Sequence, residues 1–419
     1  MRAKADASAS LRGQSSFWAL WSAATVSGFG DYVTLVALRI LVVQTLHEGA
    51  GAVGLLSAAR WLPYLAFGLV AGVLVERARR RPLLIASDLG RAALLVTIPA
   101  LATAGHLNLG VLAVVMGVYG LLSLANDAAS VSFLPRLLGP RLLAPAIAPL
   151  DQSDAVAMTS GPALAGALIT VFSAPAAILA DAVSFLTSGL LLLKVRVAEP
   201  AAQRVSLRGI PAEAREGLRF VYRHPVLAPY ALASHTWFVF NAVCGTVALP
   251  FALETLHLSP FGVGVALAAA GVGSLLGSLA AVRLGRAIGV GWIDIVCYSS
   301  NGLAWGLIAL SAPHLSGWLL FGLGQLLFGV GLGIENANGS GYRQAATPDR
   351  LQARMGTTIR SINRAMIVIG APVGGLIADA IGYRVVLLGS GAGFVIIALA
   401  LIPTPFRRAR FGDRFTGDA

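Results

Sequence analysis

The segment Gly72 to Arg81 reads GVLVERARRR. An apolar run that starts near Gly51 ends here and gives way to Glu76 and the cations Arg77, Arg79, Arg80 and Arg81. About 20 apolar residues cross a bilayer, and arginines collect where such a run emerges on the cytoplasmic side. One span and its inner end are therefore visible in a single stretch. On the same ruler the 419 residues divide into twelve spans, near 17–44, 51–75, 82–104, 108–130, 143–171, 175–194, 227–253, 260–281, 288–312, 315–338, 355–380 and 383–403. Short alternating segments of the kind that build a transmembrane barrel are missing from this pattern. The expected fold is an all-α membrane protein, twelve transmembrane helices in two pseudo-symmetric six-helix bundles.

Composition points the same way. Hydrophobic residues make up 57% of the chain and charged ones 12%, with a mean hydropathy of +0.78; about 25% charged residues is usual in a soluble domain. So few charges cannot cover a soluble surface, which excludes a soluble enzyme. The net charge of +12 is accounted for by topology. With the N-terminus inside, 27 of the 31 Lys and Arg residues fall in cytoplasmic segments, Arg384 falls in an outer loop, and Arg39, Arg60 and Arg91 lie within spans. That asymmetry places both termini in the cytoplasm and removes the need for a nucleic-acid partner. Lysine is confined to Lys4 and Lys194, an arginine bias that fits a GC-rich bacterial genome. Neither lysine closes a G-x-x-x-x-G-K-[ST] loop, so ATP-driven pumping by this chain is not expected. Cys244 and Cys297 stand alone in apolar runs and read as buried thiols. No metal or cofactor is implied.

The widest polar gap separates an N-terminal bundle, 1–194, from a C-terminal bundle, 227–419. The linker between them, 195–226, carries Ile210, Ala214, Leu218 and Val221 at helical spacing, with Glu213, Arg215, Glu216, Arg219 and Arg223 opposite. A helix lying on the cytoplasmic surface is expected. The halves repeat: a shift of 209 sets Arg141 on Arg350, Gly161 on Gly370 and Gly166 on Gly375, and a shift of 205 sets Gly68 and Gly72 on Gly273 and Gly277. Parallel six-span repeats are a transporter architecture with a site between the halves, near the midplane.

With these features together, the chain resembles the major facilitator superfamily, and within it the twelve-span drug-exporter branch that includes macrolide efflux and enterobactin export proteins. GVLVERARRR is similar to the superfamily's G-x-L-a-D-R-x-G-R-R loop, with Glu76 for the usual Asp and Ala78 for the usual Gly. Further similar stretches are GFGDYVTLVAL from Gly28, Pro63, SDLGRA from Ser87, SGPALAG from Ser160, DAVSF from Asp181 and REGLRFVYRHPVL from Arg215. The resemblance implies a gating role for the loop. It also implies an exporter's packing motif in Gly161, Pro162 and Gly166, with Gly370, Pro372 and Gly374 in the repeat.

Candidate roles follow from chemistry. A charge within a span costs about 2.5–3.5 kcal/mol even on insertion scales and marks a pathway. Asp31, mid-span behind Gly28 and Gly30, is the expected proton carrier, with a pairing to Arg39 or Arg60 as its competing role. Asp151 and Asp154 are second candidates. Gly72, Glu76, Arg77, Arg80, Asp88, Arg91 and Asp127 form the expected gate, with loop arginines pairing to Asp88 or Asp127 and Gly68 and Gly72 allowing close helix approach. Asp294, Glu335, Arg360 and Arg364 are read as inner-end anchors, and His235 as a packing residue. Trp61, Tyr64, Tyr119, Trp237, Asn241, Trp305 and Gln325 combine apolar area with a polar atom and are the expected lining for an organic ligand.

The expected activity is export of hydrophobic or amphipathic organic compounds in exchange for protons, by a monomer in a bacterial cytoplasmic membrane. Its alternatives are an exporter of one metabolite such as a siderophore, a receptor, or a lipid scramblase. A receptor would carry a signalling appendage larger than the tail after Pro403. No nucleophile, base and orienter can be assembled, so an enzyme is not expected.

Overall fold

Long apolar runs with few interior charges leave the backbone one way to satisfy its own polar groups in lipid, the α-helix. The computed structural model describes residues 11–76, 78–197 and 210–413. Its N-terminal helices are α1 (Ser15–Ile40), α2 (Ala50–Glu76), α3 (Arg80–Thr103), α4 (Leu109–Leu138), α5 (Pro140–Val171) and α6 (Ala174–Leu192). The short α7 (Ile210–Arg223) precedes α8 (Leu227–Pro250), α9 (Pro260–Ile288), α10 (Val290–Ala309), α11 (Leu315–Ala346), α12 (Asp349–Ile381) and α13 (Tyr383–Leu401). Ten of the twelve long helices are apolar and long enough to cross a membrane by themselves, and α2 and α10 pack among them.

The expected spans match these helices, but the helices overrun the apolar runs on the side where the termini lie. α4 continues to Leu138 and α11 to Ala346, while α12 starts at Asp349. α7 lies against α12, with Glu216 paired to Arg350 at 3.5 Å and to Arg354. Its apolar face is buried through Phe220 and Val221.

The bundles repeat one backbone plan. α1 and α8 each end in a π turn, Leu41–Thr45 and Phe251–Thr255. Each turn leads to a histidine at φ +54°, His47 and His257, 210 residues apart. A Cβ on Gly120 of α4 would overlap the Arg60 carbonyl of α2, and one on Gly329 of α11 would overlap the Ala270 carbonyl of α9. α2 therefore maps on α9 at 210 and α4 on α11 at 209. The 205-residue register expected for α2 is thus not the structural one: Gly273 and Gly277 close on Leu326 and Val330 of α11, whereas a Cβ on Gly68 would meet nothing within 4 Å. The close approach expected at Gly68 does not occur. Buried positions of α3 recur in α10 at 206 and those of α6 in α13 at 209.

The bundles meet mainly through two helix pairs, α2 with α12 and α5 with α9, with smaller contacts of α1 and α2 on α8. Both pairs touch in the half farthest from the termini. Gly54 faces Ala371 and Pro372, and Gly375 faces Ala50 and Gly51; in the other pair Gly264 faces Pro162, and Gly166 faces Pro260 and Phe261. Gly161 packs on Tyr32 within the N-terminal bundle, and Gly370 and Gly374 pack on Val239 and Val243 of α8. Small residues let backbones approach where lipid offers no hydrophobic drive. This contact joins the bundles at the far end, where a cavity of about 400 Å³ lies beside Val43, Gln44, His47, Leu253 and Glu254; cavities of about 570 and 180 Å³ lie in the half nearer the termini.

Candidate functional site

The N-terminal bundle brings its interior charges to one height. Asp31 of α1 accepts a 2.5 Å hydrogen bond from the Tyr119 hydroxyl of α4. Arg60 Nη2 of α2 stands 3.5 Å from one carboxylate oxygen of Asp31, and Arg91 Nη1 of α3 stands 3.9 Å from the other. Arg60 and not Arg39 is thus the first partner, joined by Arg91. Asp31 keeps 33% of its side chain exposed and faces a cavity of about 180 Å³, shared with Ser27, Asp88, Asn126 and Asp127. It is a charge that is both held and reachable.

Arg91 bridges to a second acid. Its Nη2 donates to Asp88 at 2.5 Å, and its guanidinium lies 4.0 Å from the Phe185 ring centre. Asp88 also accepts from Asn126 at 3.0 Å and Ser188 at 2.6 Å. A third acid, Asp181 of α6, is fully buried and accepts from Ser184 at 2.8 Å. Gly30 makes its room, since a Cβ there would overlap Asp181 Oδ1. The sequence reading left Asp181 without a role; an acid in an otherwise apolar span was the signal for it, as it was for Asp31.

Among the gate residues, Arg80 is buried and donates to Ser132 at 3.0 Å. Among the described residues Asp88 pairs with Arg91 of its own helix, and Asp127 accepts from Tyr64 at 2.6 Å. The contacts expected of Gly72, Glu76 and Arg77 lie outside the described residues. Asp151 and Asp154 sit on an exposed face of α5, with the Tyr32 hydroxyl 3.5 Å from Asp154. Among the described residues neither makes a hydrogen bond or salt bridge with Asp31, although Asp154 lies within electrostatic reach of it.

The expected lining residues divide. The rings of Trp61 and Tyr64 on α2 lie 4.9 Å apart and tilted by 58°, and Arg364 of α12 crosses from the other bundle to lie 3.9 Å from the Trp61 ring centre. Tyr119 is buried on Asp31. Trp237, Trp305 and Gln325 line none of the described cavities. They are 4%, 3% and 3% exposed, with both indoles packed on Phe328 inside the C-terminal bundle. Asn241 is half-buried at the position that matches Asp31 in the repeat. His235 packs between Tyr222 at 2.7 Å and Asn363 at 2.6 Å.

Two pseudo-symmetric six-helix bundles, the N-terminal one holding a buried charge cluster, are the architecture of a membrane transporter of the major facilitator type. The family described as transmembrane secretion effector matches residues 6–414, and the chain belongs to it. Relatives include the MFS-type transporter YfiS of Bacillus subtilis, 26% identical with 93% of each chain covered. The multidrug efflux pump Tap of Mycolicibacterium fortuitum is also 26% identical, with 91% of this chain and 94% of Tap covered. Among solved structures, the nucleoside transporter NupG superposes with a TM-score of 0.75 at 12% identity, covering 93% of this chain and 98% of NupG. A bacterial homologue of the lysosomal transporter Spinster, inward-facing and occupied, gives 0.75 at 14% identity, covering 96% and 98%. These likenesses establish the fold.

Proposed function

We propose that this transporter exports hydrophobic or amphipathic organic compounds across a bacterial cytoplasmic membrane in exchange for protons, with Asp31 as the coupling group. The observation that carries the reading is Asp31 itself, reachable through a cavity yet held by Tyr119, Arg60 and Arg91 from three other helices. Likeness to a multidrug efflux pump supports export and a broad substrate class. The cation distribution supports cytoplasmic termini, which makes this the inward-open state with its outer end closed. The working unit is a monomer, with bundles 1–194 and 227–419 connected by the linker 195–226.

In the cycle, a proton on Asp31 cancels its attraction for Arg60 and Arg91 and loosens the ties among α1, α2 and α3. Loss of the proton restores them. Substrate and proton thus favour different arrangements of the same helices, which is the differential interaction that alternating access requires. Everted membrane vesicles energised by an imposed pH gradient test the reading against a panel of amphipathic antibiotics and dyes. Accumulation of at least one compound, abolished by a protonophore, is expected. Accumulation insensitive to the protonophore, or of no compound in the panel, would contradict it.

A further inference from the structure

The repeat allows one buried acid to be compared with its own counterpart. Asp88 of α3 has three partners: Arg91 on its helix, Asn126 on α4 and Ser188 on α6. Its counterpart on α10 is Asp294, equally buried. There the partner positions hold Cys297, Glu335 and Ile397, a thiol, a second acid and an aliphatic chain. All three stabilising groups are gone.

The surroundings do not replace them. Asp294 is 0% exposed, and neither carboxylate oxygen has a hydrogen-bond partner among the described residues. Glu335 accepts from Tyr298 at 3.2 Å. The charged groups within electrostatic reach of Asp294 are Glu335 and Arg343 of α11. Arg343 donates to the Tyr230 hydroxyl of α8 and lies 5.1 Å from that ring's centre. Cys297 and Tyr298 of α10 complete the titratable groups around the pair. α13 carries no ionisable group beyond Tyr383 and Arg384 at its far end. α9 and the turn Pro405–Arg408 offer Arg283, Arg286, Arg407 and Arg408, and among the described residues none of these makes a salt bridge with either acid.

Two ionised carboxylates beside one arginine would leave a net negative charge at a buried site, which is strongly disfavoured. A single proton held by the pair cancels it. We infer that Asp294 and Glu335 form a proton-binding site in the C-terminal bundle, separate from Asp31 and holding one proton between the two carboxyls. Glu335 lines the cavity of about 570 Å³ that also reaches Arg343 and Asn336, so the proton exchanges with water on the side of the termini. The inference stands without any role for Asp31.

Infrared spectroscopy of the full-length protein in lipid nanodiscs, in sodium-free buffer at neutral pH, tests it through the protonated-carboxyl C=O stretch. Glu335→Gln and Asp294→Asn should each abolish the same band, because the acid left behind ionises opposite Arg343. Asp31→Asn should retain it. A spectrum unchanged in both C-terminal variants would overturn the inference, as would loss of the parent band on adding sodium. If those variants do not fold, Glu335→Asp, which keeps both acids, serves in their place. Its band should persist at a shifted frequency, and an unshifted band would overturn the inference.

Discussion

At the scale of the residue, Gly30 and Gly28 separate a site constraint from mere helix composition. A Cβ on Gly30 would overlap Asp181 Oδ1 and Ser184 Oγ, whereas one on Gly28 would meet nothing within 4 Å. Forcing a methyl group into a packed interior costs about 1–3 kcal/mol. Gly30→Ala should therefore lower the melting temperature of the purified transporter and reduce transport, while Gly28→Ala should match the parent in both. Equal behaviour of the two variants would mean that Asp181 yields freely. Asp31 was legible because a lone acid in an apolar run has few reasons to be there. Of its partners, Arg60 was one of the two cations expected, but Tyr119 and Arg91 were not, because they come from other spans and their meeting with Asp31 depends on helix rotation that composition does not encode. Trp237 and Trp305 show the same gap from the other direction: their chemistry suits a ligand, but their faces turn into the bundle.

Among the elements, the two pairs that join the bundles differ in how the entering helix is capped. α9 is capped from within, by Ser259 Oγ accepting from Gly262 N at 3.1 Å. α2 is capped from the other bundle: Asp379 of α12 accepts from Ala50 N and Gly51 N, both at 2.8 Å. A carboxylate at an exposed helix N-terminus contributes about 0.3–1 kcal/mol, and here it does so only while α2 and α12 meet at the end far from the termini. Asp379→Asn should shift the population a few-fold toward opening. Ser57, which lies beneath the closed end, reads that shift as a cysteine. A membrane-impermeant thiol reagent should label Ser57→Cys faster when Asp379→Asn is added, over a low background from the buried Cys244 and Cys297. Unchanged labelling would assign Asp379 no part in closure. The helices themselves were legible from apolar runs, but their polar extensions at Leu138 and Ala346 were not, since a hydropathy ruler stops where the apolar residues do. The clearest mark of the repeat, TLH at 45–47 and again at 255–257, is only three residues long. It gained meaning from the shared π turns and the positive φ of His47 and His257.

For the whole molecule, orientation and coupling are linked, because the proton-accessible side must be the side where substrate enters. Cysteines placed near His47, His106 and His314 should react with an impermeant reagent from outside intact cells, and cysteines in 195–226 should not. Strong external labelling of that segment would invert the transporter and its direction. The central claim is that Asp31 couples movement of organic substrate to the proton gradient. It is tested most directly by purified parent and Asp31→Asn proteins in proteoliposomes, each given a transported compound from the vesicle panel with and without a pH gradient. Asp31→Asn should still bind the compound and exchange it down its gradient, but should fail to concentrate it when the pH gradient is imposed. If Asp31→Asn concentrates the compound as well as the parent does, the coupling group is not Asp31.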